Sequence, residues 1–295
     1  MNASDQRTVF RPISQLPNVL TLMALACGLT AIRIAADHPH SKLILFVMGA
    51  AALLDGIDGR IARILDATSE MGAQLDSLCD AIGFGVAPGL ITYFLVMRQD
   101  VPIEYGPTLV TISWLSIIIY TGAIVLRLAR FNTLAVDETR PIFAKDFFVG
   151  VPAPMAAWLA LVPVCLSMQF GDGWWSHPLA TSIWLVLVAC LAFSRIPTFS
   201  GKKVSIPPVK VPIILICALI LIGGLLTFPV FTVLLILLVY VVHIPFAFRA
   251  YRWLSNHPEA WEISSSQRRQ MRSDGRTKRV RKRPRPRMHL SDKHK

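Results

Sequence analysis

From residue 211 to residue 248 the chain runs for 38 residues, "VPIILICALILIGGLLTFPVFTVLLILLVYVVHIPFAF", with no Asp, Glu, Lys or Arg. A water-soluble fold breaks its apolar segments with polar turns long before this. A bilayer core needs roughly 20 apolar residues per crossing helix. Its lack of water forces every backbone N–H and C=O to pair internally, which leaves helices as the spanning form for such segments. The run holds nearly two such lengths and is divided at Thr227-Phe228-Pro229. Similar stretches recur upstream, and the expected spans are 17–36, 43–65, 70–97, 108–130, 152–169, 178–195, 211–226 and 228–248. The fold class is therefore all-α, a polytopic membrane helix bundle of about eight transmembrane helices. The mean hydropathy of +0.53 agrees. The polar start "MNASDQRTVFRPISQ" has no cleavable signal peptide.

The net charge of +12 suggests nucleic acid until it is located. Residues 264–295 hold thirteen Lys and Arg against two Asp, so nearly all the excess lies in the tail. That tail has no apolar face to bury and no aromatics for stacking bases in its most basic stretch. Anionic membrane lipid is the expected partner and nucleic acid is not. Three regions follow: 1–16, a cytoplasmic amphipathic segment; 17–255, the transmembrane domain; and 256–295, a basic, disordered cytoplasmic tail. Basic residues also cluster in alternate loops: Arg7 and Arg11, Arg60 and Arg63, Arg127 to Lys145, Arg195 to Lys210. The positive-inside rule then places both termini in the cytoplasm. The five cysteines fall singly in apolar segments and read as small buried residues.

Against this background "LLDGIDGRIARILDATSEMGAQLDSLCDAIGFG" (53–85) is anomalous. An aspartate at a helix centre costs about 2.5–3.5 kcal/mol on insertion scales. Here Asp55 and Asp58 are three apart, Asp76 and Asp80 four apart, and each pair shares a helix face. The short connection "LDATSEM" folds the two helices into a hairpin that brings both pairs to similar depth, while Asp66 and Glu70 read as helix caps. Only cations offset such a cluster. With no His or Cys set nearby the donors favour hard ions, Mg²⁺ or Mn²⁺, with Ca²⁺ a further possibility. Four carboxylates suffice for two ions. Gly59, Ala62 and Gly72 leave a slot for a ligand, and Arg63 offers a phosphate counter-charge.

These residues, Asp55-x2-Asp58-Gly59-x2-Ala62-Arg63-x8-Gly72-x3-Asp76-x3-Asp80, resemble the signature of the CDP-alcohol phosphatidyltransferases at every defined position. The resemblance implies that Asp55, Asp58 and Asp76 hold two divalent metals, and that Asp80 is both ligand and general base. It further implies that Gly59, Ala62, Arg63 and Gly72, with Pro17, Asn18 and Thr21 of "PNVLT", contact the CDP-lipid.

Four more stretches, "LDSLCDAIGFGVAP", "LRLARFN", "FVGVPAP" and "SRIPTFSGKK", are similar to the integral-membrane phosphatidylserine synthases of that family. One departure is Gly83, where many relatives carry Ser before Phe-Gly. The implied substrates are CDP-diacylglycerol and L-serine. The implied enzyme is a multi-pass homodimer of the cell inner membrane, its active site facing the cytoplasm. Arg127 and Arg130, three apart on one helix face, suit a carboxylate or phosphate, and Asn132, Ser200, Lys202 and Lys203 join them as acceptor-side candidates. Two readings stay open beside this one. In the first, the same chemistry uses glycerol 3-phosphate, inositol phosphate or choline as acceptor. Alternatively, a cation transporter would spread its acidic residues over several spans, whereas here they share one hairpin.

Overall fold

The computed structural model describes residues 15–39, 41–97, 106–136, 147–199 and 211–257. Among these residues eight helices coincide with the eight expected segments. They are α1 (Leu16–Asp37), α2 (Leu43–Ile64), α3 (Glu70–Met97), α4 (Gly106–Val136), α5 (Ala153–Phe170), α6 (Pro178–Phe193), α7 (Val211–Thr227) and α8 (Pro229–Ser255). The protein is an all-α membrane protein, but the helices are not equal as spans. Five of them, α1, α3, α4, α5 and α8, are long and apolar enough to cross a membrane. α6 and α7 have 16 and 17 residues, short of the roughly 20 that cover a hydrocarbon core. α2 carries Asp55, Asp58 and Arg60 within its length.

The chain divides into two units, Met1–Phe248 and Arg249–Lys295. In the second, the described residues close α8, where the Trp253 and His257 rings stack at 4.5 Å. The N-terminal segment 1–14 and nearly all of the basic tail lie outside the described residues.

Small side chains determine how the first three helices meet. α1 buries Pro17, Thr21, Ala24, Gly28, Ala31 and Ala35, an alternating four–three spacing that makes one narrow stripe. α2 answers with Ile44, Leu45, Met48 and Ala51 and ends its buried face on Asp58. A Cβ on Gly28 would stand 3.2 Å from the Gly83 Cα, so α1 and α3 approach nearly backbone to backbone.

The hairpin between α2 and α3 has a defined turn. α2 closes with a bond from the Ala67 N–H to the Ala62 carbonyl oxygen, and Asp66 takes the left-handed conformation at φ 49. Ser69 then caps α3 by accepting from the Gly72 N–H at 3.0 Å.

α3 is continuous but not regular. Residues Ala81–Val86 and Tyr93–Met97 are π-helical. The widened turns redirect carbonyls that α4 takes up: the Tyr120 hydroxyl donates to the Phe84 oxygen at 2.8 Å, and the Thr121 hydroxyl to the Gly85 oxygen at 3.2 Å. α5 breaks at Leu161, because Pro163 supplies no N–H for the Leu159 carbonyl. Trp184 Nε1 of α6 donates to that oxygen instead, at 2.7 Å.

The buried core lies where α3, α4, α5, α6 and α8 meet, around Phe84, Tyr120, Ile124, Leu159, Leu185 and Leu237. Outward faces are apolar too, with Leu219 and Leu226 of α7 70% and 75% exposed, the pattern of a lipid-facing surface. Cys190 and Cys217 are also exposed, and only Cys79 and Cys165 are buried, which corrects the expectation for the cysteines. One small element is not helical. β1 (Phe147–Val149) pairs antiparallel with β2 (Pro197–Phe199). Gly150 follows at φ +78, where a Cβ would clash with the Ala192 oxygen.

Candidate active site

Asp55 on α2 and Asp76 and Asp80 on α3 each bring a carboxylate oxygen within 4.8 Å of the others'. The hairpin turn sets this meeting: the Schellman closure of α2 and the Ser69 cap of α3 hold the helices antiparallel, with both pairs on facing sides. All three carboxylates are half-buried. Asp58 stands apart from the trio. It is 4% exposed, accepts from the Thr21 hydroxyl at 2.6 Å and also accepts from the Gly59 N–H. It remains near enough to repel Asp55 and Asp76. The structure thus gathers three of the four aspartates and holds the fourth beside them through α1.

The donor set fits a hard divalent cation. Three half-buried oxygens of like charge repel strongly in a low-dielectric setting, and no nitrogen or sulfur ligand joins them among the described residues.

The small residues divide by purpose. A Cβ on Gly59 would meet nothing within 4 Å, so the space beside Asp58 is open. A Cβ on Gly72 would meet Ser69 Oγ at 3.0 Å and Asn18 Oδ1 at 3.1 Å. Gly72 is therefore small because the helix cap and α1 occupy its place, not because it leaves a slot. Arg63 is exposed and turns back, its Nε donating to the Gly59 oxygen at 2.9 Å. Pro17 is buried at the start of α1, and Ala62 takes part in the hairpin closure.

The two arginines of α4, though three apart, have different surroundings. Arg130 Nη1 donates to the Phe193 carbonyl oxygen at 2.7 Å and its guanidinium lies 4.2 Å from the Phe193 ring centroid. It is occupied at the C-terminus of α6, where a cation meets the helix dipole's negative end. Arg127 is 7% exposed and is drawn electrostatically toward Asp80. Its Nε has no hydrogen-bond partner among the described residues. Asn132 Nδ2 donates to Ser77 Oγ at 2.9 Å, and that hydroxyl donates to the Ala73 oxygen at 3.0 Å. Asn132 thus steadies the turn of α3 between Asp76 and Asp80. Ser200, Lys202 and Lys203 lie outside the described residues.

The family model for CDP-alcohol phosphatidyltransferases matches residues 14–194, from the start of α1 to the end of α6. The chain belongs to the CDP-alcohol phosphatidyltransferase family. It is similar to the CDP-diacylglycerol–serine O-phosphatidyltransferase of Mycobacterium tuberculosis, 40% identical over 257 residues, covering 87% of this chain and 86% of that one. The enzyme of the same name from Mycobacterium leprae is 40% identical over 247 residues, 84% of this chain and 79% of its own. That of Helicobacter pylori strain 26695 is 34% identical over 194 residues, 65% and 76%.

In this phosphatidyltransferase the sequence pattern did not single out three polar groups that the structure draws attention to. Ser77 lies inside the motif at an undefined position. Thr198, buried in β2, donates to the Gly150 oxygen at 3.0 Å. Tyr240 of α8 comes from the uncharged run that reads purely as span. The one signal for Tyr240 was its phenol, a polar group that needs a partner in hydrocarbon.

Proposed function

We propose that this phosphatidyltransferase moves the phosphatidyl group of CDP-diacylglycerol onto the hydroxyl of L-serine, giving phosphatidylserine and CMP. The observation that carries the reading is the buried Arg127 guanidinium, drawn electrostatically toward Asp80 and with its Nε unpaired among the described residues. A base and a cation so placed suit an acceptor that brings both a hydroxyl and an anionic group, and the relatives' names select serine.

Asp80 accepts the proton of the serine hydroxyl as that oxygen bonds to the diacylglycerol-side phosphorus, and the bond from phosphorus to the CMP oxygen breaks. Arg127 takes the serine carboxylate. The open face at Gly59, with Arg63, Ala62 and the Pro17–Thr21 end of α1, receives the CMP portion. Asp55, Asp58, Asp76 and Asp80 would hold two Mg²⁺ or Mn²⁺ ions, which supply positive charge against the phosphate oxygens. Arg130 and Asn132 hold α6 and α3 in place rather than touching serine.

In this reading all eight helices cross the bilayer, with α2 tolerating its charges because they line the site. Both termini and the active site face the cytoplasm of the cell inner membrane, the basic tail lies on anionic lipid, and the enzyme works as a homodimer.

The test is CMP release by purified protein in detergent with CDP-diacylglycerol and Mn²⁺ or Mg²⁺. Serine, glycerol 3-phosphate, inositol phosphate, inositol and choline are offered separately, with Asp76→Ala as control. Release with serine alone is expected. Release with another alcohol and none with serine overturns the acceptor but not the family chemistry.

A further inference from the structure

Two buried polar atoms, Arg127 Nε and the Tyr240 hydroxyl, have no hydrogen bond of ordinary geometry among the described residues, and Arg127 is drawn toward Asp80. They come from helices distant in sequence, α4 and α8, and interact electrostatically with each other. Tyr240 points into the bundle. Leu237 and Ile244, one turn to either side of it on α8, are core residues, and Tyr240 itself packs against that core. The Thr198 hydroxyl lies beside it but gives its own proton to the Gly150 oxygen. Leaving a buried donor unpaired is costly, because it loses its water partner and gains none in return. Two such donors within electrostatic reach of each other, one of them on the residue drawn toward Asp80, mark a place where a ligand supplies the acceptors.

We infer that Tyr240 is a specificity-determining residue: its hydroxyl and Arg127 Nε together receive the two oxygens of the acceptor's carboxylate. The inference rests on serine being the acceptor and adds a second donor from α8. A guanidinium alone attracts any anion, phosphate included. A phenol and an Nε–H from two different helices form a pair of donors that suits a planar carboxylate. The serine hydroxyl is then left for Asp80. An acceptor without a carboxylate leaves both donors unpaired and is rejected for that reason.

The test compares wild type with Tyr240→Phe, purified in detergent with Mn²⁺ and CDP-diacylglycerol, on serine and on serinamide, which lacks the carboxylate. Loss of a neutral donor to a charged group should raise the serine KM about ten- to hundred-fold, while kcat and the CDP-diacylglycerol KM change little. The preference for serine over serinamide should fall by a similar factor.

A stability readout separates this role from a structural one. If the hydroxyl serves only a ligand, Tyr240→Phe keeps or raises Tm without serine and loses the rise that serine gives the wild type. A wild-type serine KM in Tyr240→Phe overturns the inference, as does a lowered ligand-free Tm with an unchanged serinamide preference. Should the variant fail to fold, wild type alone decides: equal use of serine and serinamide overturns it, and strong preference for serine upholds the carboxylate site, with Arg127→Lys then expected to erode that preference. Absence of any wild-type turnover with serine overturns the acceptor reading and this inference together. Intact wild-type serine turnover with an indifferent Tyr240→Phe overturns this inference alone.

Discussion

Thr21 on α1 donates a 2.6 Å hydrogen bond to Asp58 on α2, across the narrow stripe where the two helices meet. Asp58 is almost wholly buried, so this bond and the Gly59 N–H are what its carboxylate has in place of water. Thr21→Val removes the donor at nearly constant volume and should destabilise the protein by about 1.5–3 kcal/mol, the range for hydrogen bonds to charged groups. Thr21→Ser should retain most of the stability. Thermal unfolding in detergent measures both.

Gly28 and Gly83 face each other but should not respond alike. A Cβ on Gly28 presses on the Gly83 backbone at 3.2 Å, whereas a Cβ on Gly83 meets nothing within 4 Å. Gly28→Val should therefore cost about 1–3 kcal/mol through overpacking and lower Tm. Gly83→Ser should leave Tm unchanged.

Asp80→Asn keeps the shape and removes the base. Turnover should fall by at least about a hundred-fold, the lower end for general-base catalysis, while binding of CDP-diacylglycerol, read by equilibrium retention of labelled lipid, largely persists. Asp76→Ala should lose both. Chelation with EDTA should abolish CMP release, and added Mn²⁺ or Mg²⁺ should restore it.

Arg127 and Arg130 should separate by readout. Arg130→Ala breaks the bond to the Phe193 carbonyl and the ring contact, so it should lower Tm and leave the serine KM near wild type. Arg127→Ala should raise the serine KM strongly. Full kinetics beside melting curves on the two variants check the pair.

Much of this was legible in the residues. Long uncharged runs have few options in a bilayer, so eight segments could be placed as helices before any coordinates. The aspartate spacing likewise fixes helix faces, because i,i+3 and i,i+4 partners share a side by geometry alone. Other features depend on what lies across the gap. Arg127 and Arg130 share a face, yet one is buried and drawn toward Asp80 and the other meets the end of α6, which no spacing on α4 reveals. Gly72 looked like ligand space, but its place is taken by the Ser69 cap of its own helix and by Asn18 from α1. Asp58 matched its three fellows in pattern, but Thr21, 37 residues away, holds it apart. The α3 π segments have no sequence marker in hydropathy at all.

Those π segments have a consequence for how tightly α3 is tuned. A regular helix turns about 100° per residue, and a π turn takes in one residue more. Between Asp80 and Gly89 the first segment therefore acts as a phase shifter. The carboxylates upstream keep one azimuth toward α2, and the glycines downstream keep another toward α4. Neither half can change its orientation without rotating the other out of contact. Chain length between the two halves is thus as strictly set as the residues themselves, and a one-residue gain or loss there would uncouple the chemistry from the packing that aims it.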